Sequence, residues 1–383
     1  MLFYVLDNTY ASLGILDSFR SATWITRFQD TGEFTLVLPT TKENVELLQM
    51  KRYLMCKGEP YYMVIEGRDS EWEWKLGDTF TITGRDLSSI LERRHIYEQI
   101  DVKQNDEDED TPVQDVIERI LNENVINPAN PKRKILGFVF KRSTDPRITK
   151  LMMGKAQYLG EVVLDTIIKI CKEYEIGFRV LPINNGGYEF SLYAGTDRSY
   201  EQDENPWVTF SDSYENIGKT GFTENIKNYR NAMLVHYERE AKGRIVDAQG
   251  EPTGSYVDEK TVIEESIYEG SEPSGLDRFE TWMSSSKSDK HEDGSAMEEE
   301  EFREILREQG REELSDYQID TVFTGKIDDN KQFNYGRDFT LGDIVQMENK
   351  YGLQQAVRVA EIVRTHDSTG DHTTPSFVNL PDK

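Results

Sequence analysis

The chain has 383 residues, 30% of them charged and 37% hydrophobic, and a formal net charge of −26 at pH 7. That balance argues against gripping nucleic acid through its phosphates, which takes clustered lysine and arginine, and against settling on an anionic membrane surface. It suits a very soluble protein, or a wall along which a polyanion slides because like charge prevents adhesion; the length allows two to four domains.

Phe3 to Leu6 reads as a short strand, with Leu13 to Leu16 as its partner after a turn at Asp7-Asn8. Arg20 to Pro39, RSATWITRFQDTGEFTLVLP, is the segment around which the chain is organised. It alternates with period two on both sides of Asp30-Thr31-Gly32, as a hairpin does. Trp24 and Phe28 point one way and Ile25 the other, so neither face is cleanly polar. A strand of that kind has protein on both sides: it is either the central strand of a sandwich within one chain, or packed on a second layer or subunit. Trp24, Ile25, Arg27, Phe28 and Phe34 are therefore the structural and interface candidates.

Thr40, with Glu43 three residues on, starts a short helix carrying Val45 and Leu48. Tyr53 to Cys56 and Tyr61 to Ile65 pair across Gly58-Glu59-Pro60. Trp72 to Thr83 is strand-like, and Gly84-Arg85-Asp86 leads into a helix with Leu87, Ile90 and Leu91. Residues 1–100 are thus a β-rich unit. The acidic run Asp106 to Asp110 precedes Thr111-Pro112-Val113-Gln114, a cap with proline at the first helical position. It lacks the glycine and terminal glutamate of a calcium loop. Val113, Val116, Ile117, Ile120 and Leu121 keep helical spacing. Ile135 to Phe140 is a strand, and Val163 to Tyr174 a second amphipathic helix stopped at Gly177. Phe178 to Leu181 and Glu189 to Tyr193 flank the hairpin signal Asn184-Asn185-Gly186-Gly187. Residues 101–202 form an inserted α+β unit.

Trp207 to Phe210 and Asn231 to Tyr237 are strands, and Thr261 to Tyr268 an edge strand between two polar loops, Gly250 to Ser255 and Ser284 to Ser295. An amphipathic helix over 297–317 begins with glutamates that suit its dipole and carries Phe302, Ile305, Leu306 and Leu314. Residues 203–345 read as a second β unit holding this helix, and 346–383 as a small C-terminal β segment. Leu341 to Val345 and Ala356 to Val359 are joined across Lys350-Tyr351-Gly352. The order β-rich, α+β, β-rich is a coarse internal echo.

Two cysteines, Cys56 and Cys171, are too few for a disulfide framework or a four-thiolate zinc site. MLFYVLDN has no basic flank and so is not a secretory signal. No apolar run reaches the about 18 residues of a spanning helix, so no stable membrane insertion is expected. His366-Asp367 and Asp371-His372 offer four ligands on a polar loop with no visible outer-shell support. No nucleophile elbow, zinc-protease or phosphate-loop motif occurs. The reading is that the protein is not an enzyme, with no catalytic residue, metal or cofactor.

TWITRF, TGEFTLVLP, YMVIEGR and TITGRDLSSILERR resemble the N-terminal part of siphophage tail-tip baseplate hub proteins, also called tail-associated proteins. GFTENIKNYRNAMLVHYERE, SGLDRFE, EEFREILREQGREELSDY and NYGRDFTLGDIVQMENKYGL with RVAEIV continue the resemblance in order along the chain. It implies a contractile-tail-hub-like, mostly β, α+β fold. Two tube-like β-barrel or sandwich domains with smaller α+β domains would form a homotrimeric ring matching a sixfold tail tube. It also implies a place at the virion tail tip, after assembly in the host cytoplasm. The partners would be the distal tail protein and tail tube, the tape measure protein, and receptor-binding or tip proteins. Genomic DNA would pass through the channel without specific binding. Larger relatives append cell-wall-cleaving or receptor-binding domains, for which this chain is expected to have no room. Two other readings are a saccharide-binding attachment protein using Trp72, Trp74 or Trp282, and a tail-associated peptidoglycan hydrolase.

Overall fold

The computed structural model describes residues 1–383 except 74–76, 103–109, 185, 247–251, 269, 292–293, 318, 328–331, 349–353 and 381–383. The run Asp106 to Glu109 and the turn Lys350-Tyr351-Gly352 lie outside the described residues, as does Asn185 of the hairpin signal.

The N-terminal strands are β1 (Phe3–Leu6), β2 (Ser12–Leu16), β3 (Ser21–Arg27), β4 (Glu33–Pro39), β5 (Tyr53–Cys56), β6 (Tyr62–Glu73) and β7 (Gly77–Asp86). Helix α1 (Lys42–Leu47) lies between β4 and β5. Its cap is Thr41, whose hydroxyl accepts from the Asn44 N–H at 3.1 Å, not Thr40. The strand-like stretch from Trp72 to Thr83 is the end of β6 and most of β7, paired back on itself. The helix expected at Leu87 is a 3₁₀ segment over Leu87–Arg93, capped by the Asp86 carboxylate.

The inserted unit holds β8 (Ile100–Val102), β9 (Thr111–Pro112), α2 (Val113–Leu121), β10 (Phe138–Lys141), α3 (Pro146–Thr149), β11 (Met152–Met153), β12 (Ala156–Tyr158), α4 (Val163–Glu173), β13 (Gly177–Ile183) and β14 (Gly187–Tyr193). Thr111 does not cap α2. It pairs with Met153 in a two-stranded ribbon, and Pro112 takes the cap position without a side-chain bond. Gly177 does not stop α4 either, which ends through Glu175 in a left-handed conformation (φ 52°).

The rest comprises β15 (Asp197–Arg198), β16 (Thr209–Ser211), β17 (Ile217–Asn225), β18 (Ala232–Val246), β19 (Pro252–Tyr268), β20 (Glu280–Ser284), α5 (Glu299–Leu314), β21 (Asp320–Ile327), β22 (Ile344–Glu348), β23 (Gln354–Asp367) and β24 (Gly370–Asn379). The polar stretch Gly250 to Ser255, expected as a loop, belongs to β19 from Pro252 onward. Helix α5 packs on β18 and β19 so closely that a Cβ on Gly310 would fall 2.4 Å from Ile267.

One 14-stranded sheet runs through the molecule in the order β17-β21-β24-β23-β3-β4-β7-β6-β5-β1-β2, with β22 branching from β23 and pairing in turn with β15 and β16. The closed barrels implied by the resemblance do not form within this chain: among the described residues the pairing is open, ending at β17 and β2. Four apolar cores result. One lies under the N-terminal strands around Trp24 and Leu36, and one under the C-terminal strands around Phe210 and Phe377. One fills the inserted unit, and one sits between α5 and the β18–β19 ribbon.

Candidate functional site

Strand β3 is the seam of the long sheet. It pairs with β4 on one side, Trp24 opposite Phe34, and with β23 on the other, Ile25 opposite Val363. The first β unit and the C-terminal strands are therefore one sheet, joined through the hairpin. Burial along β3 alternates strictly: Ala22, Trp24, Thr26 and Phe28 are covered, while Thr23, Ile25 and Arg27 are half-buried.

Trp24 is fully buried, with Phe3 and Phe34 at ring-centroid distances of 5.7 and 6.0 Å. Phe28 leaves the same face of the strand but enters a different core. Its ring meets Tyr193 edge-on at 5.2 Å and carries the Arg358 guanidinium at 5.1 Å. A Cβ on Gly177 or Gly342 would lie 2.3 or 2.4 Å from that ring. Both glycines are there because Phe28 fills the space, and at Gly342 the left-handed φ of 91° adds a second requirement. Sheet twist separates the two targets: four residues along a twisted strand are enough to turn one face from one core to the next.

The opposite face is open. Ile25, Val37 and Val363 sit among threonines such as Thr23, Thr35 and Thr365, all partly exposed. Two arginines of this face are committed to carboxylates. Arg27 bonds Glu361 and Glu33, each at 2.7 Å, and Arg85 bonds Glu66 at 2.8 Å and Glu92 at 2.6 Å. Burial works against the Arg27 charge, and the bonds to Glu33 and Glu361 overcome it, leaving the pKa above its ordinary value.

A second junction, not read from the sequence, joins the inserted unit to α5. The Tyr158 hydroxyl donates to Glu312, and the Tyr174 hydroxyl donates to Glu308 at 3.3 Å. Lys169 pairs with Glu313, Lys172 with Asp316 at 2.6 Å, and Lys287 with Glu161 at 2.8 Å. Burial, opposed by Lys287, pushes the Glu312 carboxyl up to about 7. Burial, aided by Glu308 and Glu312, pushes Glu173 up to about 9. Glu308 and Glu312 are buried, yet in the sequence they look like any other glutamates of a charged helix.

The histidine loop is a tight turn between β23 and β24, with His366 paired opposite Asp371. His366 Nδ1 lies 2.6 Å from Asp371, which also holds the Met1 ammonium at 2.7 Å. Among the described residues no group of three metal-binding side chains converges, and no helix is long and apolar enough to cross a membrane. Trp74 and the side chain of Trp72 lie outside the described residues. Trp282, 60% exposed on β20, stands 5.8 Å from the His236 ring.

No curated protein sequence matches this one. Solved structures that share its fold include two tail proteins. The 43 kDa tail protein of prophage MuSo2 from Shewanella oneidensis is 12% identical, with a TM-score of 0.56 over 99% of this chain and 98% of that one. A tail protein from Neisseria meningitidis MC58 is 14% identical, with a TM-score of 0.53 over 98% and 96%. Residues 2–377 match the family model of the Siphovirus ReqiPepy6 Gp37-like protein, and the chain belongs to that family.

Proposed function

We propose that this chain is a structural baseplate hub protein of a phage tail tip, not an enzyme. Three copies would form a ring joining the sixfold tail tube and distal tail protein to the threefold tip. The ring would line or close the channel through which DNA leaves. The tape measure protein and the receptor-binding or tip proteins would be its other neighbours, and the virion tail tip its location. In such a ring the two β units, 1–100 and 203–345 with 346–383, would supply six similar faces. The inserted unit 101–202 would sit outside.

The observation that carries this reading is the continuous sheet through β3. One chain presents two adjoining β units on a single rigid surface, as a threefold ring facing a sixfold tube requires. The open face supports the channel role. Arg27 and Arg85 are each held between carboxylates, so among the described residues of this face a passing phosphate meets no uncommitted guanidinium. Electron microscopy of the tail tip decides the matter: threefold density fitting this chain is expected, and a tip without it overturns the proposal. A second test substitutes Thr35→Lys and Thr83→Lys together. New cations on a channel wall would retard DNA release without changing particle assembly; unchanged release would remove the face from the channel.

A second reading has one observation in its favour. The exposed Trp282 indole beside His236 is a flat aromatic platform of the kind a sugar ring stacks on. A glycan array on the purified protein, compared with Trp282→Ala, separates an attachment role from a purely structural one.

A further inference from the structure

Where the first β unit, the inserted unit and the C-terminal strands meet, a cleft of about 630 Å³ opens. It lies away from the seam's open face and rests on none of the arguments for a hub.

Its floor is preformed. Asp343 is buried and accepts from the Thr196 N–H at 2.8 Å, Arg198 Nε at 3.0 Å, and the Thr340 N–H and hydroxyl at 2.9 and 3.2 Å. Gly195 lies so close on Gly342 that a Cβ would fall 1.7 Å from its carbonyl oxygen.

The cleft is locally cationic in a chain of net charge −26. Lys57, Arg179 and Arg364 line it, against Glu59 and Asp343. Glu59 is buried and paired with Arg364 at 2.5 Å, and Asp343 is answered by Arg198. That leaves Arg179 without a carboxylate. Its Nε donates to Ser191 at 3.3 Å and its guanidinium lies 5.0 Å over the Tyr193 ring. Its two terminal nitrogens make no hydrogen bond or ion pair among the described residues.

Three tyrosines, Tyr61, Tyr193 and Tyr335, complete the wall. The Tyr193 hydroxyl is buried beside that of Tyr61, short of a well-formed hydrogen bond among the described residues. Burial pushes the Tyr61 hydroxyl up to about 12, so it remains a neutral donor at physiological pH.

A stacked guanidinium with a free planar fork takes a carboxylate or phosphate through two parallel bonds. Tyrosine rings offer an apolar face and a polar tip together, which suits the carbon–hydrogen face and hydroxyls of a polyol. We propose that this cleft binds a small polyol bearing one oxyanion, a uronic acid or a sugar phosphate, with Arg179 holding the anion and the tyrosines holding the ring.

The test is titration of the full chain by calorimetry with glucuronate, glucose 6-phosphate, glucose and inorganic phosphate. Arg179→Ala, Arg179→Lys and Lys57→Ala are titrated in parallel. The two charged sugars are expected to bind, each at least about tenfold more tightly than glucose or phosphate alone. Arg179→Ala should abolish that binding and Arg179→Lys weaken it, with both free variants still melting in a single cooperative transition. Lys57→Ala, at the exposed rim, should weaken binding less and leave the fold intact. No heat with either charged sugar overturns the proposal. Equal binding of phosphate alone overturns the polyol half of it. Binding that survives Arg179→Ala overturns the assignment of the anion to that residue.

Discussion

The β3–β23 seam and the α4–α5 junction join units of the same chain with opposite materials. At the seam, continuous backbone pairing runs beneath Trp24 and Phe28, each sealed in its own core. No titrating group is needed to hold it. At the α4–α5 junction, Glu173, Glu308 and Glu312 face Tyr158, Tyr174, Lys287, Lys169, Arg311 and Glu161. Buried carboxylates this close together ionise reluctantly because burial and like charge both oppose it. Among the described residues the first joint carries only the partly exposed Arg27–Glu361 pair as a titrating tie and should respond weakly to pH, whereas the second is held partly by protons. The contrast follows from what each joint buries: apolar rings at the seam, carboxylates and phenols at the junction.

The largest effect expected is on the seam. Trp24→Ala should cost about 3–5 kcal/mol, because a large cavity opens in a core that cannot collapse. Phe28→Ala should cost a similar amount, yet the damage should appear elsewhere. Denaturant melts measure the size of each loss, and limited proteolysis its location. Cleavage should concentrate among the first strands for Trp24→Ala, and among β22 to β24 for Phe28→Ala. Identical cleavage maps would break the claim that one strand serves two cores.

Gly177→Ala comes next. The added methyl meets the Phe28 ring at 2.3 Å, and overpacking of this kind costs roughly 1–3 kcal/mol. Combining it with Phe28→Leu should recover part of the loss. A fully additive double variant would show that Gly177 serves something other than Phe28.

The junction is probed by pH. Glu312 and Glu173 have folded-state pKa values raised from 4.5 to about 7 and about 9. For a raised acid the stabilising contribution is complete below the unfolded value, near 4.5, and is lost as pH rises through the folded value. The junction should therefore loosen between about pH 5 and 9. Hydrogen exchange of α4 and α5, corrected for intrinsic rates, should rise over that window while β3 and β23 stay protected. Glu312→Gln should flatten the lower part of the rise. Equal change in both regions would erase the contrast.

The smallest effect belongs to Arg27→Ala. Its ion pairs are partly exposed, so their loss should cost no more than about 1 kcal/mol. A larger loss in a thermal melt would mean that the open face contributes more to the seam than the buried one.

The local grammar of the chain was legible from the residues. The hairpin was visible in its period-two pattern, α2, α4 and α5 in their apolar spacing, and the alternation that sends Ile25 away from Trp24 and Phe28 in simple parity. Those features depend on neighbours within a few residues, which a single sequence contains. What only the tertiary structure decided is where each face goes. Trp24 and Phe28 share parity, and nothing near them says that they enter two cores. That depends on sheet twist and on β23, whose Glu361 is 334 residues from Arg27. Gly177 looks like a helix stop, and its reason is a phenylalanine on another strand. Glu308 and Glu312 look like solvated charges, and become a buried joint only because α4 and Tyr158 cover them. Periodicity is set by backbone geometry along the chain, whereas burial of a polar group is set by what folds over it.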